Sequence, residues 1–185
     1  MAQQFAGRTM YLIAILIAFL SGNGQAASSD LIKKACTIDR GTVDLDICIA
    51  TLGSYDQIST ATTMQTIAVH IAQVGISNST ATRSYIEESL AKPQAASTKA
   101  TLEDCKEAYD TVIPSFNSAL GEIKKDKEYQ TATYDLLLAA TDYVGECEKS
   151  VVNNKMVDQV IQSGNKAVEV FALSAYQIAS DLQKP

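Results

Sequence analysis

Few side chains in this sequence could do covalent or acid–base chemistry: four cysteines, one histidine and two pairs of adjacent carboxylates. His70 is the sole histidine, so a nucleophilic triad would have to use it and a metal site could have only one imidazole. A di-iron bundle needs Glu three residues before its His, and position 67 is Ile67. The thiols of Cys36, Cys48, Cys105 and Cys147 cease to be nucleophiles once they are oxidised in pairs. Glu87-Glu88 and Glu103-Asp104 read as solvated helix faces rather than acid–base dyads. The expectation is a protein with no catalytic residues, no metal and no cofactor.

The compartment follows from the first residues and the charge. Arg8 is the only charge before the apolar run Tyr11 to Leu20, and Ser21-Gly22-Asn23-Gly24-Gln25-Ala26 follows it. A basic head, a short apolar middle and small residues at the end predict a cleaved signal peptide over 1–26. The run is about half the ~20 residues that a membrane anchor needs. Removing 1–26 takes the 15 basic and 21 acidic residues to 14 and 21, and the net charge from −6 to −7. So acidic a domain is repelled by nucleic acid and anionic membranes, and it suits a basic protein partner. In an oxidising compartment four cysteines predict two disulfides, with three pairings open. The sequon Asn78-Ser79-Thr80 marks Asn78 as a glycosylation acceptor.

Nearly everything after residue 28 carries helical periodicity. Leu102, Cys105, Tyr109, Val112, Phe116, Ala119 and Ile123 recur at steps of three and four, which lays an apolar stripe along one helix face. Thr101 is placed to cap that helix, with Glu103 and Asp104 in its first turn. After the charged break Lys124-Lys125-Asp126-Lys127, a second stripe runs through Thr133, Leu136, Ala140, Tyr143 and Cys147. A third runs through Val157, Val160, Gly164, Val168, Phe171, Ala175, Ile178 and Leu182. A fourth helical region lies between Ser59 and Leu90, with a kink expected at Ser77-Asn78-Ser79-Thr80 and an end at Pro93. Pro114 should kink the helix that contains it. Four amphipathic helices with short connections predict an all-α, up-down-up-down four-helix bundle over 59–184, preceded by a short helical hairpin over 29–55. Residues 27–185 then form one domain.

This geometry chooses among the pairings. Cys105 and Cys147 are equidistant from Asp126, so in an antiparallel hairpin they sit at one height, about 30 Å from the turn at ~1.5 Å per residue. Helix axes about 8–10 Å apart, less two Cα radii of about 2.3 Å, bring facing Cα atoms to about 4–5 Å, within disulfide reach. Cys36 and Cys48 are likewise equidistant from Thr42, beside Gly41 in a polar turn. The expected bridges are Cys36–Cys48 and Cys105–Cys147.

The frame Leu31-Ile32-Lys33-Lys34-Ala35-Cys36, with Cys48-Ile49-Ala50-Thr51-Leu52, resembles the amino-terminal hairpin of plant invertase and pectin methylesterase inhibitors. Leu102-Glu103-Asp104-Cys105-Lys106-Glu107-Ala108-Tyr109-Asp110 resembles that family's most recognisable segment, and Val112-Ile113-Pro114 is similar to its pollen-type branch. The resemblance extends through Lys125-Asp126-Lys127-Glu128-Tyr129 and Phe171-Ala172-Leu173-Ser174-Ala175. It implies a disulfide-clipped bundle in the apoplast, cell wall or vacuole that forms a one-to-one complex with a pectin methylesterase or an acid invertase and blocks its cleft. It also implies docking through the outward faces of the 102–147 hairpin, where Glu107, Asp110, Asn117, Tyr134 and Asp135 lie. The Pro-Lys-Phe segment associated with invertase inhibition is missing, and the stretch Glu148 to Lys155 lacks the usual proline. Both that gap and the acidity favour pectin methylesterase. Two rival expectations stand beside it: an apolar-ligand carrier, which needs a cavity lined by Val168, Phe171 and Tyr143, and a diverged family member with no inhibitory activity.

Overall fold

The computed structural model describes residues 28–38 and 43–184 of the 185. The predicted leader and the turn from Asp39 to Thr42 lie outside the described residues. Among the described residues eight α-helices follow one another: α1 (28–36), α2 (Leu45–Gly53), α3 (Asp56–Ser59), α4 (Met64–Leu90), α5 (Ala96–Gly121), α6 (Tyr129–Leu138), α7 (Val144–Asn153) and α8 (Gln159–Leu182). A π-helical turn, Glu122–Asp126, closes α5, and another, Ala139–Tyr143, joins α6 to α7. The described residues contain no strand. No helix among them is long and apolar enough to cross a membrane.

The bundle is the expected up-down-up-down arrangement. Its third member is α6 and α7 with the π turn between them; α4 packs on α5 and α8, and α6–α7 packs on α5 and α8. The core centres on Tyr109, Phe116 and Phe171, all fully buried, with Ile67, Ile71, Leu136 and Ile161 around them. Each such apolar side chain contributes about 1.5–3 kcal/mol by leaving water, so the four stripes hold one another. Two glycines let the backbones approach: a Cβ on Gly75 would come within 2.5 Å of Phe116, and one on Gly164 within 2.5 Å of Thr82.

Both disulfides form as the register requires. Cys36–Cys48 spans 5.7 Å between Cα atoms and Cys105–Cys147 spans 4.2 Å, and no described cysteine is free. Helix α8 touches both bridges. Asn165 Nδ2 donates to Cys147 Sγ at 3.4 Å, and the Ser174 hydroxyl lies 3.2 Å from Cys48 Sγ. The α1–α2 hairpin covers the outer side of α8, where Tyr55 meets Phe171 edge-on at 5.6 Å and Lys34 pairs with Asp181 at 3.5 Å. That cover explains why six successive residues, Val170 to Ala175, are all buried, a run that one amphipathic stripe does not produce.

Four local expectations are corrected. Helix α4 runs unbroken through Ser77 to Thr80, and the hydroxyls of Ser77, Thr80 and Thr82 bond carbonyls four residues back within the helix instead of capping a break. Thr101 is no cap: α5 starts at Ala96, and Thr101 is buried inside it with its hydroxyl on the Ser97 carbonyl. The start of α8 is set by Asp158, whose carboxylate accepts from the backbone N–H groups of Val160 and Ile161. This turns Ile161 inward and leaves Val157 and Val160 86% and 46% exposed. Tyr143 leaves the core stripe for the surface of α6–α7, as described below. Pro114 lies inside α5, which remains one helix around it.

Candidate docking surface

Apart from Glu88, which is exposed on α4, the residues with chemical potential are engaged in structural bonds. His70 Nδ1 contacts the Gln57 carbonyl, which ties α4 to α3. Glu87 pairs with Arg83 at 2.9 Å, Glu103 pairs with Lys99 at 3.6 Å, and Asp104 accepts from the Ser150 hydroxyl at 2.5 Å. Among the described residues no group of three His, Cys, Asp or Glu is placed to hold a metal. Val168 and Phe171 are packed in the core, and none of the clefts described is lined by either.

A groove of about 690 Å³ lies between α5 and α7. Asp104, Glu107 and Thr111 form its α5 wall; Glu146, Ser150 and Asn153 form the α7 wall, and Tyr143 stands at the end of the π turn. The π turn explains that Tyr143. A regular helix would carry the stripe from Ala140 to Tyr143 to Cys147, but the wider turn moves the inward position to Val144, which is buried. Tyr143 is therefore half-buried and faces the groove. The signal available in the sequence was Val144 itself, an apolar residue four after Ala140 and three before Cys147.

The five expected docking residues do not form one patch. Glu107 lies in the groove, exposed and without an ion-pair partner among the described residues. Asp110 points toward α4, held by Arg83 of that helix and at 2.8 Å by Lys106, one turn earlier on α5. The Lys106 hydrogen bond, followed by the bond and charge of Arg83, keeps its carboxyl below the ordinary range against the effect of burial. Asn117, Tyr134 and Asp135 lie nearer the α5–α6 turn. Asn117 donates to the Ile113 carbonyl at 2.9 Å, and Tyr134 is 62% exposed. Periodicity placed Tyr143 in the core stripe and did not single out Glu146 or Asn153. Asn78 sits midway along α4, half-buried, with its amide nitrogen donating to the Tyr55 hydroxyl at 3.3 Å.

Glu122, in the π turn that closes α5, offers a pH test of this hairpin. Its Oε1 accepts from Ser118, while Oε2 is buried with no partner. Burial, with Asp135, Glu128 and Asp126 nearby, raises its proton affinity despite the Ser118 bond. A raised folded value means that this carboxyl favours folding below the unfolded carboxylate range and loses that contribution as pH rises through the folded value. Glu122→Gln is therefore expected to melt at a higher temperature than the parent at neutral pH and to converge with it below about pH 4. An equal difference at both pH values in thermal melts would refute the assignment.

Comparison with known proteins places this geometry. Residues 30–179 match the family described as plant invertase/pectin methylesterase inhibitor. The fold is similar to the crystal structure of a pectin methylesterase inhibitor from Arabidopsis thaliana, with a TM-score of 0.63 and 15% identity, over 83% of this chain and 97% of that one. At that identity the likeness is one of fold. No curated protein matches this sequence significantly.

Proposed function

The chain belongs to the plant invertase/pectin methylesterase inhibitor family, and from that premise we propose that it docks on a pectin methylesterase of the cell wall and blocks its substrate cleft as a one-to-one plug. The observation that carries this reading is the α5–α7 groove: an exposed surface with three carboxylates, one lysine and a tyrosine. The lysine, Lys149, is bonded to Glu146 at 2.6 Å, so the groove presents net negative charge. Such a surface suits a basic enzyme surface, and complementary charge speeds encounter and selects partners. A leader over 1–26 delivers the protein to the apoplast in this reading, and Asn78 is its glycan acceptor. The absence of a Pro-Lys-Phe segment favours the pectin-directed mode over the invertase-directed one.

The test is to titrate the purified oxidised protein against a pectin methylesterase and an acid invertase in parallel, at mildly acidic pH. Pectin methylesterase activity should fall to its floor near one equivalent, and inhibition should weaken when salt is raised to about 0.5 M, where the screening length drops to a few ångströms. Inhibition of invertase alone would transfer the target. Inhibition of neither enzyme would remove the function.

A further inference from the structure

Within the α5–α7 groove the charges are not equally available. Lys149 Nζ bonds Glu146 Oε1, and Asp104 Oδ2 takes the Ser150 hydroxyl. Glu107 is left without an ion-pair partner, in the same groove as the Tyr143 ring that the π turn has moved out of the core stripe. Asp142, exposed beside Tyr143 in that turn, adds negative field: it contributes to raising the affinity of Lys149 for its proton, after the hydrogen bond and charge of Glu146. A tyrosine ring near an uncompensated carboxylate is a poor seat for an apolar side chain, which would desolvate Glu107 without replacing its water. An acidic side chain would be repelled there. A guanidinium or ammonium group satisfies both features, through its charge on Glu107 and its face-on attraction to the ring.

Resting on the docking function proposed above, we infer that this groove receives one arginine or lysine side chain of the target enzyme, with Glu107 as its counter-ion and Tyr143 as its aromatic platform.

An experiment without the enzyme separates this inference from the function on which it rests. A capped tetra-arginine peptide is titrated into the oxidised protein at low salt, with backbone NMR shifts and calorimetry as readouts. Shifts confined to residues 104–111 and 143–154 are expected. Glu107→Gln should weaken binding about tenfold. Tyr143→Leu, which keeps bulk and removes the ring, should weaken it several-fold, and Tyr143→Phe should leave it unchanged. Unchanged circular dichroism in each variant shows that the fold is retained. Shifts spread over unrelated acids such as Asp56 and Glu88, or affinity indifferent to Glu107→Gln and Tyr143→Leu, would overturn the inference. So would tighter binding of a neutral oligosaccharide in the groove. If an enzyme is inhibited equally by parent and variants, the function stands and the inference falls. If the peptide behaves as expected while no enzyme is inhibited, the groove stands and the function falls.

Discussion

Replacing Cys105 and Cys147 together with alanine is expected to lower the unfolding free energy by about 4 kcal/mol, from the entropy released when a loop of 42 residues is opened in the unfolded chain. The bridge joins α5 to α7 at a height where both cysteines are fully buried, so the loss of two sulfurs from a packed site adds to the entropic term. Removing Cys36–Cys48, which closes 12 residues, should cost less, about 3 kcal/mol. Urea unfolding of the two double variants and the parent checks both the size and the order. Because Asn165 and Ser174 of α8 lie against sulfurs of the two bridges, reductant should expose thiols in the native protein only as fast as α8 undocks. A variant lacking Cys105–Cys147 that unfolds at the parent's urea midpoint would show that the bridge does not constrain the bundle.

The second large effect is expected at Gly164. Alanine there would gain up to about 1 kcal/mol of helix propensity. Its Cβ, however, would come within 2.5 Å of both Thr82 Oγ1 and Cγ2, and 2.9 Å from the Tyr109 hydroxyl. Thr82 is a short, branched side chain on a buried helix face and cannot swing aside as a long one could. The Tyr109 hydroxyl donates to Asn165 Oδ1 at 3.0 Å, and Tyr109 is buried deeply enough for desolvation to push its ionisation well above the ordinary range. Displacing that hydroxyl leaves two buried polar groups poorly paired. Overpacking at about 1–3 kcal/mol and a strained hydrogen bond at about 1 kcal/mol or more exceed the propensity gain. Gly164→Ala should therefore destabilise by about 2–3 kcal/mol. Gly145→Ala, where a Cβ meets nothing within 4 Å, should stabilise by about 0.5–1 kcal/mol. Two glycine variants in one bundle with opposite signs separate close packing from propensity. A stabilising Gly164→Ala would contradict the contact geometry.

The parts of the fold that were legible in the sequence are those fixed by helix arithmetic. Steps of three and four placed Tyr109, Phe116, Leu136 and Phe171 in the core, and all four are buried. Equal distances from Asp126 paired Cys105 with Cys147. What escaped was set by single-residue events that periodicity averages away. A carboxylate cap at Asp158 chose Ile161 over Val160 as the inward residue. A π turn exchanged Tyr143 for Val144. Six consecutive buried residues on α8 reflect the α1–α2 hairpin lying over it, a tertiary contact invisible in the helix's own pattern. The candidate site was half legible. Glu107 was selected from its outward face, but Asp110 proved to be held by Arg83 and Lys106 on the α4 side. The groove itself depends on the re-aimed tyrosine.

The most direct test of the central claim, that the α5–α7 face covers the enzyme, is a comparison of inhibition constants for two charge reversals on a pectin methylesterase. Glu107→Lys places the new charge in the groove. Glu148→Lys places the same charge in the cleft on the other side of α7, which Val152 and Gln162 line. Both variants change the net charge equally, so long-range steering is matched. The account predicts that Glu107→Lys weakens inhibition by about tenfold or more while Glu148→Lys stays within about twofold of the parent. Equal weakening by both would reduce the interaction to net charge, and no weakening by Glu107→Lys would place the docking surface elsewhere on the molecule.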